Sequence, residues 1–277
     1  MTKGDEQAGH MRRGRAGAGM KALAMGLSLF AALAGPAWAQ SPTSDWERSD
    51  VADDVTATIR FADAPTFSVT CSSGQLMVLV SSLPKAGQAA RTRSIVIRQA
   101  ERTLSMPWIA GASDEALAGA PRPLARALRR GGRLTVQSPG DADAIEYALD
   151  LPARSEAVTH VMERCGAPLE DPRDDLPPLD NAAMRWTREP EPSYPDRLTQ
   201  NGLAVVSCIT TRNGHLRDCV VEAEFPTGFE LGRAALQAYR VANIGRRNGG
   251  EVADGQLMTA ALRMPCQRCL QGPAAPR

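Results

Sequence analysis

The stretch Ser207-Cys208-Ile209-Thr210-Thr211-Arg212-Asn213-Gly214-His215-Leu216-Arg217-Asp218-Cys219 decides how the C-terminal part of this chain folds. Asn213-Gly214 between two apolar segments is the strongest short-range hairpin signal, because a two-residue type I′ turn needs positive φ at both central positions. Counting outward from that turn pairs Arg212 with His215, Thr211 with Leu216, Thr210 with Arg217, Ile209 with Asp218 and Cys208 with Cys219. The two cysteines then occupy a hydrogen-bonded antiparallel pair with Cα atoms about 5.5 Å apart, within the span of a disulfide. The spacing predicts a Cys208–Cys219 bridge across the hairpin, which a bulge in either strand would displace.

After the hairpin, Phe225, Pro226 and Gly228 make a loop. Phe229, Ala234, Ala235, Leu236 and Tyr239 recur at helical spacing over about Glu230 to Val241, and a last strand runs from Gln256 to Met264, ended by Pro265. Before it, Tyr194-Pro195 leads a short helical stretch from Asp196 to Gln200, closed by Asn201 and Gly202. The order is short helix, hairpin, helix, strand.

Toward the N-terminus, period-two alternation predicts strands over Val55–Phe61, Phe67–Cys71 and Leu76–Val80, and further strands at Ser94–Arg98, Leu134–Gln137 and Ile145–Leu151. Pro123–Arg130 reads as a helix stopped by Gly131-Gly132. Ser155 caps a second helix whose Val158, Val161, Met162 and Cys165 share a stripe. Cys71 on an inward strand face and Cys165 at the end of that stripe are expected to meet and pair. Between the two regions, Pro168, Pro172, Pro177, Pro178 and Pro190 among acidic residues read as a semi-extended linker, with Trp186 docking on a domain. The expected class is α+β with two small domains: a signal peptide over 1–39, an N-terminal domain over 45–166, a linker over 167–190, a C-terminal domain over 191–266 and a tail over 267–277.

Arg12, Arg13, Arg15 and Lys21 precede an apolar run from Ala22 to Gly35 and the small-residue site Ala37-Trp38-Ala39, the layout of a cleaved secretory leader. Met1, Met11 and Met20 are each compatible with the start. Export to the periplasm is the expectation, an oxidising compartment that suits six cysteines in a chain with only 4% aromatic residues. The 32 basic residues nearly balance the 31 acidic ones across 277 residues, giving a net charge of +1 and no reason to expect nucleic acid as partner.

Tyr194-Pro195, Gly202, the hairpin glycine Gly214, and Phe229 with Ala234, Ala235 and Leu236 stand in the order and spacing of the TonB C-terminal domain family, which the chain resembles over about Pro192 to Met264. The proline that often follows the family's helix is replaced by Ala242 and Asn243. The resemblance implies that an extended segment of an envelope protein, such as an outer-membrane TonB-dependent transporter, adds as a strand beside the last one. Gln256, Met258, Ala260 and Leu262 are the expected contacts, or the opposite face if the register differs. A covered edge or a homodimer through that strand are the alternatives. With its leader cleaved, the chain has neither the inner-membrane helix nor the long proline-rich span of an energy transducer, so a binding or adaptor role is expected, not an enzyme. No cofactor and no metal are expected.

Other constellations carry less. Cys266 and Cys269 form a C-x-x-C read as a local disulfide, since Pro265 and the short tail leave little room for the helix a redox motif needs. Ser82 and Lys85 match S-x-x-K without its partner motifs. His160 and His215 lack a nucleophile beside them. An envelope hydrolase, or a cell-wall- or lipid-binding protein acting through the N-terminal region, is the alternative; Arg122, Arg126, Arg129 and Arg130 then touch phosphate or carboxylate, or else form a solvated helix face.

Overall fold

Alternating apolar and polar residues build the first strands of the computed structural model, which describes residues 39–85, 92–139, 144–193 and 198–266. The chain divides into two units, Met1–Pro36 and Ala37–Arg277, and every described residue belongs to the second. Nearly all of the expected leader, Tyr194-Pro195, Cys269 and the tail lie outside the described residues.

Strands β1 (Glu47–Val51), β2 (Asp54–Ile59), β3 (Thr66–Ser72) and β4 (Gln75–Ser81) form an antiparallel meander. In β2 to β4 every second side chain is buried, from Val55 through Phe67 and Cys71 to Val80, as one core-facing side requires. The chain continues through β5 (Thr92–Arg93), β6 (Val96–Gln99), β7 (Arg102–Leu104), β8 (Trp108–Ala110), β9 (Ala116–Ala118), α1 (Pro121–Arg130), β10 (Gly132–Pro139), β11 (Ala144–Leu151) and α2 (Glu156–Arg164). One sheet has the order β1-β2-β3-β4-β9-β8-β5 and a second the order β11-β10-β6-β7. Phe67, Leu124, Leu134, Leu149 and Met162, all fully buried, place both sheets and both helices around one core.

Proline in the first turn opens α1, and Gly131 at φ +73° closes it against the Pro152 carbonyl, where a Cβ would come within 2.1 Å. The Ser155 hydroxyl caps α2 by accepting from the Val158 N–H at 3.2 Å. Cys71 and Cys165 are disulfide-bonded, with Cα atoms 5.5 Å apart, tying β3 to the residue after α2.

The four arginines of α1 all have partners within the chain, although Arg130 remains exposed. Arg126 is 3% exposed and donates to both oxygens of Asp174, at 2.8 and 2.7 Å. Arg130 reaches the same carboxylate at 3.2 Å, Arg129 donates to the Leu169 carbonyl at 3.0 Å, and Arg122 to the Val221 carbonyl at 2.7 Å. A guanidinium out of water must be paired, and the acidic segment supplies the partner. That segment, expected as linker, is structured: Pro172–Asp175 and Asn181–Ala183 are 3-10 turns, each started by an aspartate cap, and Met184–Arg188 is strand β12.

The remaining elements are β13 (Gly202–Thr210), β14 (Leu216–Phe225), α3 (Leu231–Val241), β15 (Asn243–Arg246) and β16 (Leu257–Met264). Sheet order is β14-β13-β16, with β12 and β15 paired beside it. Ala204, Val206, Cys208, Leu231, Ala235, Tyr239 and Met258 form a second core. Leu198–Gln200 are not helical, and Asp196 and Arg197 lie outside the described residues.

The hairpin departs from a type I′ turn. The Gly214 N–H donates to the Thr211 carbonyl and the Thr211 N–H to the His215 carbonyl, both at 2.9 Å. Gly214 has φ +84° while Asn213 does not have positive φ, which makes a three-residue loop with a glycine bulge. The expected pairs beside the turn are therefore replaced by Thr210 with Leu216 and Ile209 with Arg217. Asp218, at φ +49°, then inserts a second extra residue, so Ser207 opposite Val220 and Val206 opposite Val221 are in the expected register, before a further shift pairs Val205 with Ala223. Cys208 and Cys219 are disulfide-bonded, with Cα atoms 4.1 Å apart.

Candidate functional site: the outer edge of the last strand

β16 pairs with β13 on one side, Met258 opposite Cys208, Ala260 opposite Val206 and Leu262 opposite Ala204. Its other side is an edge. At the first rung the Leu257 N–H donates to the Pro177 carbonyl and the Leu257 carbonyl accepts from the Leu179 N–H, both at 2.8 Å. The chain's own segment thus covers the start of the edge in parallel orientation. One rung on, the Thr259 carbonyl accepts from the Asn181 side chain at 3.1 Å. Backbone groups alternate sides along a strand, so the Thr259 N–H and both backbone groups of Ala261 and Arg263 point outward too, with no hydrogen-bond partner among the described residues.

This alternation sorts the expected contact residues. Met258 is buried in the second core, and Ala260 and Leu262 pack against it. Gln256 precedes the strand, its N–H donating to the Thr210 hydroxyl at 3.1 Å. The backbone groups of all four turn toward β13, and those offered outward belong to Thr259, Ala261 and Arg263, while the side chains of Met258 and Ala260 line the cleft along this edge. Ala261 and Arg263 are exposed and Thr259 is buried.

A cleft of about 640 Å³ lies along this edge. Leu179, Met184, Trp186, Ile244, Met258 and Ala260 give it an apolar lining, with Ser105 to Pro107 on a further side. Trp186 docks, as expected from the sequence, packing on the second core with its ring centroid 5.9 Å from that of Tyr239, and it lines the cleft as well. Burial pushes the Tyr239 phenol up to about 12. Arg185 and Arg247 line the cleft as exposed cations without an ion pair among the described residues, and Glu189 lines it as the counter-charge. A second cavity of about 330 Å³, lined also by Leu257, Pro177 and Pro178, shares Ser105, Met106 and Thr259 with the first.

The other constellations are dispersed. His160 is 42% exposed with Nε2 4.0 Å from Asp50, and His215 is exposed beside the hairpin loop. Ser82 and Lys85, both exposed, follow β4 on an irregular stretch, not at a helix start. The Cys266 N–H donates to the Asn201 side chain at 3.0 Å, and no cysteine among the described residues is free. No group of His, Cys, Asp and Glu among the described residues is placed to hold a metal, and none of their helices is long and apolar enough to cross a membrane. Comparisons with protein-family models, curated proteins and solved structures found no match to the chain.

Proposed function

We propose that this chain is an exported, two-domain adaptor of the cell envelope whose C-terminal, TonB-like domain takes an extended segment of an envelope protein as an added strand at β16. The observation that carries the reading is the edge itself. Among the described residues the Thr259 N–H and both backbone groups of Ala261 and Arg263 are unpaired, and Thr259 and Ala261 line a cleft with an apolar lining; main-chain hydrogen bonding with alternate side chains in pockets is how such edges bind peptides. An exposed edge is otherwise a hazard that proteins blunt. Among the described residues, only its first rungs are covered.

The sequence pattern from Gly202 through Gly214 to Phe229 supports a TonB-like domain, and an outer-membrane TonB-dependent transporter is the partner that likeness suggests. The proposed role is to bind and to bring together, not to transduce energy.

Affinity purification of the exported chain from solubilised Gram-negative envelope, beside an Ala261→Pro and an Ala261→Ser variant, tests this. Proline is tolerated at a strand edge yet removes the outward N–H. Capture of the same envelope protein by wild type and Ala261→Ser, and its loss with Ala261→Pro at an unchanged melting temperature, is the expected outcome. Equal capture by all three contradicts strand addition at β16.

A further inference from the structure

Met184 and Trp186 lie on one face of β12 and Arg185 on the other, yet all three line the same cleft. The same is true across the cleft, where Met258 and Ala260 of one β16 face and Thr259 and Ala261 of the other all contribute. Successive residues of a strand point to opposite faces, so a cavity touching both faces meets the strand at its edge. The cleft therefore lies between two strand edges.

The backbone of β12 agrees. The Ile244 N–H donates to the Gly214 carbonyl at 3.0 Å, away from β12, while the Arg247 N–H donates to the Ala183 carbonyl at 3.0 Å, toward it. Ile244 and its partner Trp186 therefore form a non-hydrogen-bonded pair, and the N–H and C=O of Trp186 point to the cleft side. The Met184 N–H is already used, donating to the Asn181 carbonyl. Lining the same cleft are Thr259, whose outward N–H is unpaired among the described residues while its carbonyl accepts from Asn181, and Ala261, with both groups outward.

We infer that the cleft is a two-edged slot: one extended segment of another protein, with apolar side chains at alternate positions, pairs with β16 on one side and with Trp186 of β12 on the other. This deepens the strand-addition reading and rests on it. The guest closes β14-β13-β16 and β12-β15 into one sheet, with its inward side chains on the Met184, Trp186 and Ile244 lining. At a rise of about 3.3 Å, an interstrand spacing of about 4.8 Å and a sheet separation of about 10 Å, a strand residue fills on the order of 160 Å³. The cleft of about 640 Å³ thus holds a span of about four residues.

Backbone N-methylation distinguishes one edge from two. A peptide selected from a displayed library of random decapeptides is resynthesised with a single N-methyl group at each position in turn, and its affinity for the unmodified exported chain is measured. A two-edged slot predicts affinity losses of roughly tenfold or more at consecutive positions over the paired span, because successive N–H groups donate to opposite walls. Losses at every second position only overturn the two-edged slot and leave strand addition at β16 standing. Selection of no peptide, or a peptide indifferent to N-methylation, overturns both. A chain that sediments as a dimer which the selected peptide does not dissociate places a second copy in the slot and likewise overturns the inference.

Discussion

Cys208 and Cys219 are bridged, with Cα atoms 4.1 Å apart, across a hairpin whose register slips twice between turn and disulfide. The three-residue loop at Gly214 moves the pairing by one residue, and Asp218 at φ +49° restores it. Without the second slip the cysteine in β13 would face Asp218. Asp218→Val, which forces a β-branched residue into the left-handed region, is expected to cost about 1 to 3 kcal/mol in urea unfolding with the disulfide intact. Asp218→Gly is expected to be neutral or stabilising.

Gly214 is also where a side chain meets a wall. A Cβ there comes within 2.0 Å of the Ile244 carbonyl, while Gly74, at a similar φ of +76°, has open space around it. Gly74→Ala therefore carries only the backbone penalty of about 1 kcal/mol. Gly214→Ala must in addition push β15 from the hairpin loop, and chemical denaturation is expected to show a clearly larger loss.

Arg126 and Asp174 lock the acidic segment onto α1, at 3% and 8% side-chain exposure. Arg126→Met leaves a buried carboxylate held by Arg130 alone, and a loss of about 3 kcal/mol is expected. Asp174→Leu added to it removes the uncompensated charge, so urea unfolding of the double variant should recover most of that loss. A double variant no better than the single would show that the pair acts otherwise.

Tyr239 gives an alkaline signature. Its phenol titrates near 12 in the fold because burial disfavours the phenolate, against about 10 unfolded. Its contribution is thus fully present below pH 10 and is lost as pH rises from 10 through 12, since the unfolded chain releases the proton first. Stability should fall across that window by roughly 2 to 3 kcal/mol from this group, and Tyr239→Phe should remove that part of the slope.

What the sequence made legible follows from how local each signal is. Period-two alternation marked β2 to β4, a proline start with Gly131-Gly132 as stop marked α1, and a helical stripe after Ser155 marked α2, because those patterns sit within ten residues. β12 and β15 were not legible: Met184–Arg188 alternates with charged residues and Asn243–Arg246 is four residues long with a glycine inside. Asn213-Gly214 fits a type I′ turn and a glycine-bulge loop alike, so the sequence could not choose between them. The fate of Arg126 depended on Asp174, 48 residues away, a separation no local pattern reports. At the candidate edge, the strand was legible from Gln256 to Met264, but its outward register was not. That register is set by the Leu257 bonds to Pro177 and Leu179, which come from a segment read as linker.

The most direct measurement is amide hydrogen exchange along β16, with and without a library-selected peptide. Met258, Ala260 and Leu262, already paired with β13, are expected to be protected in both states, and Thr259, Ala261 and Arg263 to slow markedly only when peptide is bound. Protection by the peptide elsewhere in the chain, with Ala261 and Arg263 exchanging as before, would contradict strand addition at β16.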